Sequence, residues 1–239
     1  MKYIYGPVKS RRLGLSLGLS LTPYKICDFD CIYCQLGKTV DLTPQRQEFI
    51  KIEDILNEFK SWLQNNPGGA KELDYVTISG SGEPTLNIKI GELIREIKKS
   101  ASCRIAVITN ASLLSDPQLR LELKTADLIV PSLDTVIPEI FQQIDRPHQN
   151  IKIGQVIDGL VSLRKEFSGK IWLEIMLVAG VNDDLRQIRK LKEVVDRINP
   201  DKIQLNSPVR STCEPGLLPV DKGKLDKIRG ILGEKCEII

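Results

Sequence analysis

The sequence has little histidine and no long apolar segment. It contains one histidine in 239 residues, His148, which follows Arg146 and Pro147 and is predicted to be a surface residue. No apolar run reaches the ~18 residues that a membrane-spanning helix requires. The net charge is only +3, which permits an anionic partner without arguing for one. The composition therefore predicts a globular, cytoplasmic protein without a membrane segment.

Internal divisions are missing as well. No repeat, low-complexity linker or change of composition divides the chain, so we expect a single domain over residues 1–239. One stretch imitates an export signal, because Arg11 and Arg12 precede an apolar run at 13–22. Leucine alternates strictly with glycine and serine in that run, and this period of two is typical of a strand. We therefore interpret the run as a strand whose leucines share one face: Leu13, Leu15, Leu17, Leu19 and Leu21.

Strand-like apolar runs alternate with amphipathic segments along the rest of the chain, a pattern typical of a parallel α/β fold. The predicted strands are 14–22, 75–79, 104–109, 128–132, 171–178 and 202–206. The predicted helices are 52–65, 88–100, 116–124, 138–144, 155–167, 184–198 and 222–232. Ser115 is a candidate N-cap for the third of them, and Pro67 is expected to stop the first. The pattern predicts a partial (β/α)6 TIM-like barrel of mainly parallel strands, with a short C-terminal extension at about 207–239.

Polar residues lie where the predicted strands end. In parallel barrels the catalytic groups occupy the loops that follow the strands. We therefore expect one site to be formed by the loop at 27–34, the loop at 80–84, and a set of single residues. That set is Asn110, Ser132, Asp134, Glu174 and Asn206.

Three cysteines stand close together in the first of these loops. Cys27, Cys31 and Cys34 have the spacing C-x-x-x-C-x-x-C, so one loop can bring three thiolates to one metal centre. A four-iron cluster ordinarily takes four cysteines. Three would leave one iron free for a ligand from outside the protein. In a reducing compartment such clustered cysteines indicate metal rather than disulfides.

Two other interpretations of the cysteines remain open. A zinc site would use two or three of them with a fourth ligand. The candidates for that ligand are His148, Cys103, Cys213 and Cys236, none of which stands in a paired zinc spacing. A purely structural four-cysteine cluster is the second alternative.

The same loop resembles the signature of the radical S-adenosylmethionine (SAM) superfamily, because Tyr33 directly precedes the last cysteine. The resemblance implies that Cys27, Cys31 and Cys34 hold a [4Fe-4S] cluster. It also implies that the amino and carboxylate groups of SAM chelate the fourth iron and that Tyr33 lies beside the adenine. An enzyme of this kind is oxygen-sensitive, and its site is closed to water during turnover.

Three further segments resemble motifs of that superfamily. Gly80-Ser81-Gly82-Glu83 is similar to its Gly-Gly-Glu motif, whose main chain binds the SAM amino group, with Ser81 replacing the first glycine. Thr109-Asn110-Ala111 is similar to Thr-Asn-Gly and implies that Asn110 faces the SAM pocket. Ser132-Leu133-Asp134 is similar to Ser-Leu-Asp, which contacts the ribose or carboxylate of SAM. Taken alone, each segment could be an ordinary turn or cap.

Two strand residues complete the predicted cofactor site. Glu174 lies among apolar neighbours, and a buried carboxylate needs a partner, either a ribose hydroxyl or a basic side chain. Asn206 on the last predicted strand is expected to border the adenine. Arg11, Arg12, Arg146 and Arg210 are candidates for binding substrate anions, with surface ion pairs as the ordinary alternative for each.

The segments at 82–86, 109–111 and 177–182 look nearest to the branch related to wybutosine-synthesising tRNA enzymes, although the chain lacks cysteines for their second cluster. We therefore expect a monomeric radical SAM oxidoreductase or transferase that receives an electron from a flavodoxin- or ferredoxin-type donor. Its substrate is unidentified, and a tRNA base is favoured. One alternative is activation of a glycyl-radical partner. Another is a non-catalytic metal-binding or electron-transfer module.

Overall fold

The computed structural model describes all 239 residues and contains ten strands and eight α-helices. The strands are β1 (Ile4–Ser10), β2 (Gly14–Ser20), β3 (Ile26–Cys27), β4 (Asp41–Leu42), β5 (Tyr75–Ser79), β6 (Arg104–Thr109), β7 (Leu128–Pro131), β8 (Lys170–Met176), β9 (Lys202–Asn206) and β10 (Cys236–Ile238). The helices are α1 (Ile52–Asn65), α2 (Pro67–Glu72), α3 (Ile90–Ser100), α4 (Pro117–Leu123), α5 (Pro138–Ile144), α6 (Ile153–Glu166), α7 (Leu185–Ile198) and α8 (Lys222–Leu232). No helix is both long and apolar enough to cross a membrane.

Eight of the strands form one sheet in the order β1-β2-β5-β6-β7-β8-β9-β10. All neighbouring pairs from β2 to β10 are parallel, and β1 alone runs antiparallel to β2. The expected α/β fold with a mainly parallel sheet is therefore confirmed. The sheet is open, because β1 and β10 are edge strands that do not pair with each other.

Several elements differ from the sequence prediction. The edge strands β1 and β10 were not expected: β1 is mostly exposed, so its residues lack the apolar alternation that marks a half-buried strand. Pro67 opens the short helix α2, because the first helical position needs no backbone N–H and suits proline. The N-cap of α4 is Asp116, whose carboxylate accepts from the Gln118 N–H at 2.9 Å, and the prediction of Ser115 was wrong.

The alternating leucines from Leu17 to Leu21 face the largest of three buried apolar clusters. Leu17, Leu19 and Leu21 are fully buried there, between the sheet and the helices. Leu13 is the exception: it precedes the strand and belongs to a small cluster with residues that include Tyr75. The expectation that all five leucines share one face was wrong at Leu13, because the turn before β2 breaks the period of two.

Shortening one of these leucines should destabilise the protein. We expect Leu19→Ala to lower the free energy of unfolding by about 2–5 kcal/mol, since it removes buried methyl groups and leaves a cavity. The same substitution at Leu121, which is 55% exposed on α4, should change it by less than about 0.5 kcal/mol. Urea denaturation of both variants measures the difference. Equal effects would show that Leu19 is not held in a packed core.

Candidate functional site

The cysteine loop, residues 27–34, lies against the ends of two neighbouring parallel strands. After β5, the Glu83 N–H donates to the Ile26 carbonyl at 3.1 Å. After β6, Asn110 Nδ2 donates to Asp28 Oδ1 at 2.6 Å. Parallel strands place their carboxyl ends at one edge of a sheet, so the fold brings these predicted segments together at the loop.

Nitrogen donors surround two of the three thiols. Cys27 Sγ lies 3.5 Å from the Phe29 nitrogen and 3.8 Å from Asn110 Nδ2. Lys25 Nζ donates to Cys34 Sγ at 3.0 Å, from a side chain that is almost completely buried. Burial alone lowers the pKa of the Lys25 ammonium, but its hydrogen bond to Cys34 and its attraction to the thiolate forms of the three cysteines raise it overall. Donors of this kind stabilise thiolates, which are the form of cysteine that binds metal.

The third thiol belongs to a buried group of acids. Cys31 Sγ lies 3.6 Å from Asp145 Oδ1, and the Tyr33 hydroxyl donates to Asp134 Oδ2 at 2.5 Å. Burial raises the pKa of Asp134 to about 6. Burial and the Asp134 charge raise the pKa of Asp145 well above its usual range. The predicted cofactor residues Tyr33 and Asp134 thus already have partners within the protein. No motif or spacing in the sequence pointed to Asp145.

The thiols are not arranged around one ion. No group of three or more histidine, cysteine or carboxylate side chains is placed to hold a single metal ion, and all six cysteines are free thiols. A zinc ion needs such donors converging on one point.

Glu83 is the most heavily hydrogen-bonded side chain of the site. Its carboxylate accepts from Thr109 Oγ1 and from Thr85 Oγ1, each at 2.6 Å, and from the N–H groups of Asn110 at 2.8 Å and Thr85 at 3.1 Å. Burial, with the Asp28 charge, raises its pKa to about 7. The Glu83 side chain therefore joins the ends of β5 and β6, and only its main chain remains a candidate for binding a cofactor.

Gly80 and Gly82, in the loop after β5, are required because other parts of the chain pack closely against them. A side chain at Gly80, which has φ +113°, would lie 2.5 Å from Ser20 Oγ, and one at Gly82 would lie 1.8 Å from the Ile26 carbonyl oxygen. Only glycine permits such close contact between the loop and the segment that leads to Cys27. The Ser81 N–H between them donates to Ser20 Oγ at 3.2 Å.

The carboxylate of Glu174 is not free but is paired with a basic side chain. Arg12 Nη1 donates to Glu174 Oε2 at 2.6 Å, and Asn206 Nδ2 lies 3.3 Å from the other oxygen. Ser132 forms a β-bridge with Glu174. Of the two partners that the sequence left open, the structure supplies the basic side chain, and it places Glu174 and Asn206 on adjacent strands.

The predicted residues line three different cavities. Tyr33, Asn110, Ser132 and Asp134 line one of only about 10 Å³. Ser81 lines a larger one of about 600 Å³ near the start of the chain. Asn206 lines a third, of about 360 Å³. The strand ends converge, but the structure does not unite all predicted cofactor residues in one open pocket.

The sequence of this chain is similar to those of known proteins. A sequence model described as the radical SAM superfamily matches residues 21–191. The UPF0026 protein of Methanocaldococcus jannaschii is 34% identical over 236 residues, which cover 98% of this chain and 72% of that protein. A protein named GTPase Obg from Brachyspira hyodysenteriae is 36% identical over 237 residues, covering 99% of this chain, and the chain spans 34% of its length.

A solved structure shares the fold. The radical SAM methyltransferase from Sphaerobacter thermophilus superposes with a TM-score of 0.73 at 16% identity, covering 94% of this chain and 65% of that one. At this identity the likeness concerns the fold alone. The chain belongs to the radical SAM superfamily, as the family match shows. That membership supports the interpretation of the chain as an enzyme with SAM-dependent radical chemistry. Its assignment to the branch related to wybutosine synthesis stays a prediction.

Removing the Glu83 carboxylate should destabilise the site more than an ordinary acidic substitution does. We expect Glu83→Ala to lower the free energy of unfolding by about 3 kcal/mol or more, because several buried donors lose their acceptor. Glu234→Ala, at an exposed position after α8, should change it by less than about 0.5 kcal/mol. Urea denaturation compares the two. A mild effect at Glu83 would contradict its role in joining β5 and β6.

Proposed function

We propose that this chain is a radical SAM enzyme that holds a [4Fe-4S] cluster through Cys27, Cys31 and Cys34. The observation that carries the proposal is three half-buried thiols on one loop at the carboxyl ends of parallel strands, two of which, Cys27 and Cys34, have nitrogen donors beside them. This donor set fits a cluster with one iron left for SAM. The chemistry that such a group supplies when bound is reductive cleavage of SAM to methionine and a 5′-deoxyadenosyl radical, which takes a hydrogen atom from the substrate.

The side chains have separate tasks in this proposal. Lys25 offsets negative charge at Cys34, and the N–H groups near Cys27 do the same for that sulfur. Asn110 and Ser132 would orient SAM from the ends of β6 and β7. The proposal also includes the partial barrel expected from the sequence, because an open parallel sheet that curves would place β8 and β9 opposite the cysteine loop.

The C-terminal extension would help to exclude water. Its Glu214 N–H donates to the Ile32 carbonyl at 2.9 Å, within the cysteine loop. Leu217 packs against the buried cluster of Ile32, Ile144 and Val178. Covering the loop in this way protects a reactive intermediate from solvent and oxygen.

The partners expected from the sequence belong to the same proposal. A cytoplasmic flavodoxin- or ferredoxin-type protein would supply the electron. The substrate is unidentified, and the likeness to tRNA-modifying enzymes favours a nucleic-acid base. Cleavage of SAM can be measured before the substrate is known, because 5′-deoxyadenosine accumulates.

The first test is the product itself. Protein reconstituted with iron and sulfide without oxygen, then given dithionite and SAM, should form 5′-deoxyadenosine. Cys31→Ala should lose both the cluster absorbance and the product, whereas Cys103→Ala, outside the loop, should keep both. A cluster-loaded protein that never forms 5′-deoxyadenosine, or whose spectrum ignores SAM, would sink the proposal in favour of a non-catalytic module.

The second test concerns Lys25. Hydrogen bonds to cluster sulfurs and nearby positive charge favour the reduced state. We therefore expect Lys25→Met to make the cluster's midpoint potential more negative. Lys25→Arg, which keeps the positive charge, should have a potential close to that of the unmodified protein. Lys38→Met removes the same charge from an exposed neighbour and should leave the potential nearly unchanged. Redox titration followed by electron paramagnetic resonance measures all three, and equal shifts at both lysines would exclude a specific role for Lys25.

A further inference from the structure

A basic cavity lies beside the cysteine loop. It has a volume of about 360 Å³ and lies between the turn that joins β1 to β2, the end of β9 and the residue after Cys34. The basic residues that line it are Lys9, Arg11, Arg12 and Arg210. A volume of this size lies within the range of small-molecule sites, roughly 300–1,000 Å³.

The charged side chains that line this cavity are all of one sign. Its lining includes four cationic side chains and no acidic one. Arg12 is paired with Glu174, but Lys9, Arg11 and Arg210 form no ion pair. Cations that converge without partners create a positive potential and attract an anion.

Arg146 provides a contrast within the same protein. Its guanidinium is paired with Glu214 at 2.5 Å, which satisfies the ordinary alternative of a surface ion pair. Arg210 has only a long contact with Gln35 Oε1, at 3.5 Å. The two candidates are thus distinguished: Arg146 is neutralised by a neighbour, and Arg210 is available to a ligand.

The position of the cavity connects it to the proposed chemistry. Gln35 directly follows Cys34, and Asn206 Nδ2 lies 3.3 Å from Glu174 Oε1 on the neighbouring strand. A ligand anchored here by its anionic end would extend towards the cysteine loop. The anion site and the site of hydrogen abstraction would then share one substrate.

We propose that Lys9, Arg11 and Arg210 bind a phosphate group of the substrate. The role of this site in catalysis rests on the proposed function, whereas the binding itself does not. A phosphate carries up to two charges and several acceptor oxygens, which match two guanidinium forks and an ammonium better than a single carboxylate does. The phosphate could belong to a mononucleotide or to an RNA backbone, and the two sources are separated by experiment.

The test measures binding by the reconstituted full chain in the absence of SAM. Isothermal titration with uridine 5′-monophosphate should show binding that weakens with salt, and uridine should bind much more weakly. Arg11→Gln and Arg210→Gln should each weaken the affinity on the order of tenfold, the loss typical of one charge-assisted hydrogen bond. Arg189→Gln, an exposed charge on α7 outside the cavity, is the matched control and should bind as the unmodified protein does.

A uridine hexanucleotide forms the second arm. Binding of the hexanucleotide alone, with the same loss in Arg11→Gln and Arg210→Gln, assigns the phosphate to RNA. Binding of the mononucleotide assigns it to a small substrate. Failure of both ligands to bind, or an equal loss in Arg189→Gln, overturns the proposal.

A parallel assay keeps the two proposals apart. Phosphate binding without any 5′-deoxyadenosine formation would leave the anion site standing and remove the radical SAM function. Formation of 5′-deoxyadenosine without phosphate binding would support the radical SAM function and remove the anion site.

Discussion

A carboxyl group buried away from water must find hydrogen-bond donors, and this requirement governs the edge of the sheet where the cysteine loop lies. Asp28, Glu83, Asp134 and Asp145 are all buried there. The first two take their donors from the ends of β5 and β6, including Asn110, and so fix those strand ends against the loop. The position of the thiols depends on this network, because the loop has little regular structure of its own.

The same network sets the electrostatics of the site. Burial raises the pKa values of Cys27 and Cys31, with negative groups nearby adding to the effect. Ionised thiols are therefore unfavourable here without positive charge, and a metal centre would supply it. Lys25 offsets part of the same cost at Cys34. Cys27 and Cys31, which are buried beside acidic groups, are thus suited to binding a cationic metal centre and unsuited to remaining as unliganded thiolates.

The basic cavity and the cysteine loop are adjacent but differ in the sign of their charged side chains. Acidic groups dominate one side, and Lys9, Arg11 and Arg210 the other. Arg12, which also lines the basic cavity, forms an ion pair with Glu174. A substrate that is anionic at one end would therefore be oriented before any chemistry, because only one end of the site attracts it.

Much of the fold followed from local patterns. The bounds of α1, β5, β6, α5, β9 and α8 agree with those predicted from the sequence. The departures occur where the local pattern is weak or misleading, as in β1, whose residues are mostly exposed, and at Leu13, which lies in a turn before the strand. Edge strands such as β1 are difficult to predict because hydrogen bonds to a single neighbouring strand, rather than a buried apolar face, keep them in place.

The sequence by itself determined the spacing of Cys27, Cys31 and Cys34, since contiguous residues on one loop stay together in any fold. It also determined which segments follow the parallel strands. Only the tertiary structure decided which side chains meet, as with Arg12 and Glu174, which stand 162 positions apart. The reason is physical: a partner for a buried charge is selected by the order and curvature of the strands, and no local spacing encodes either.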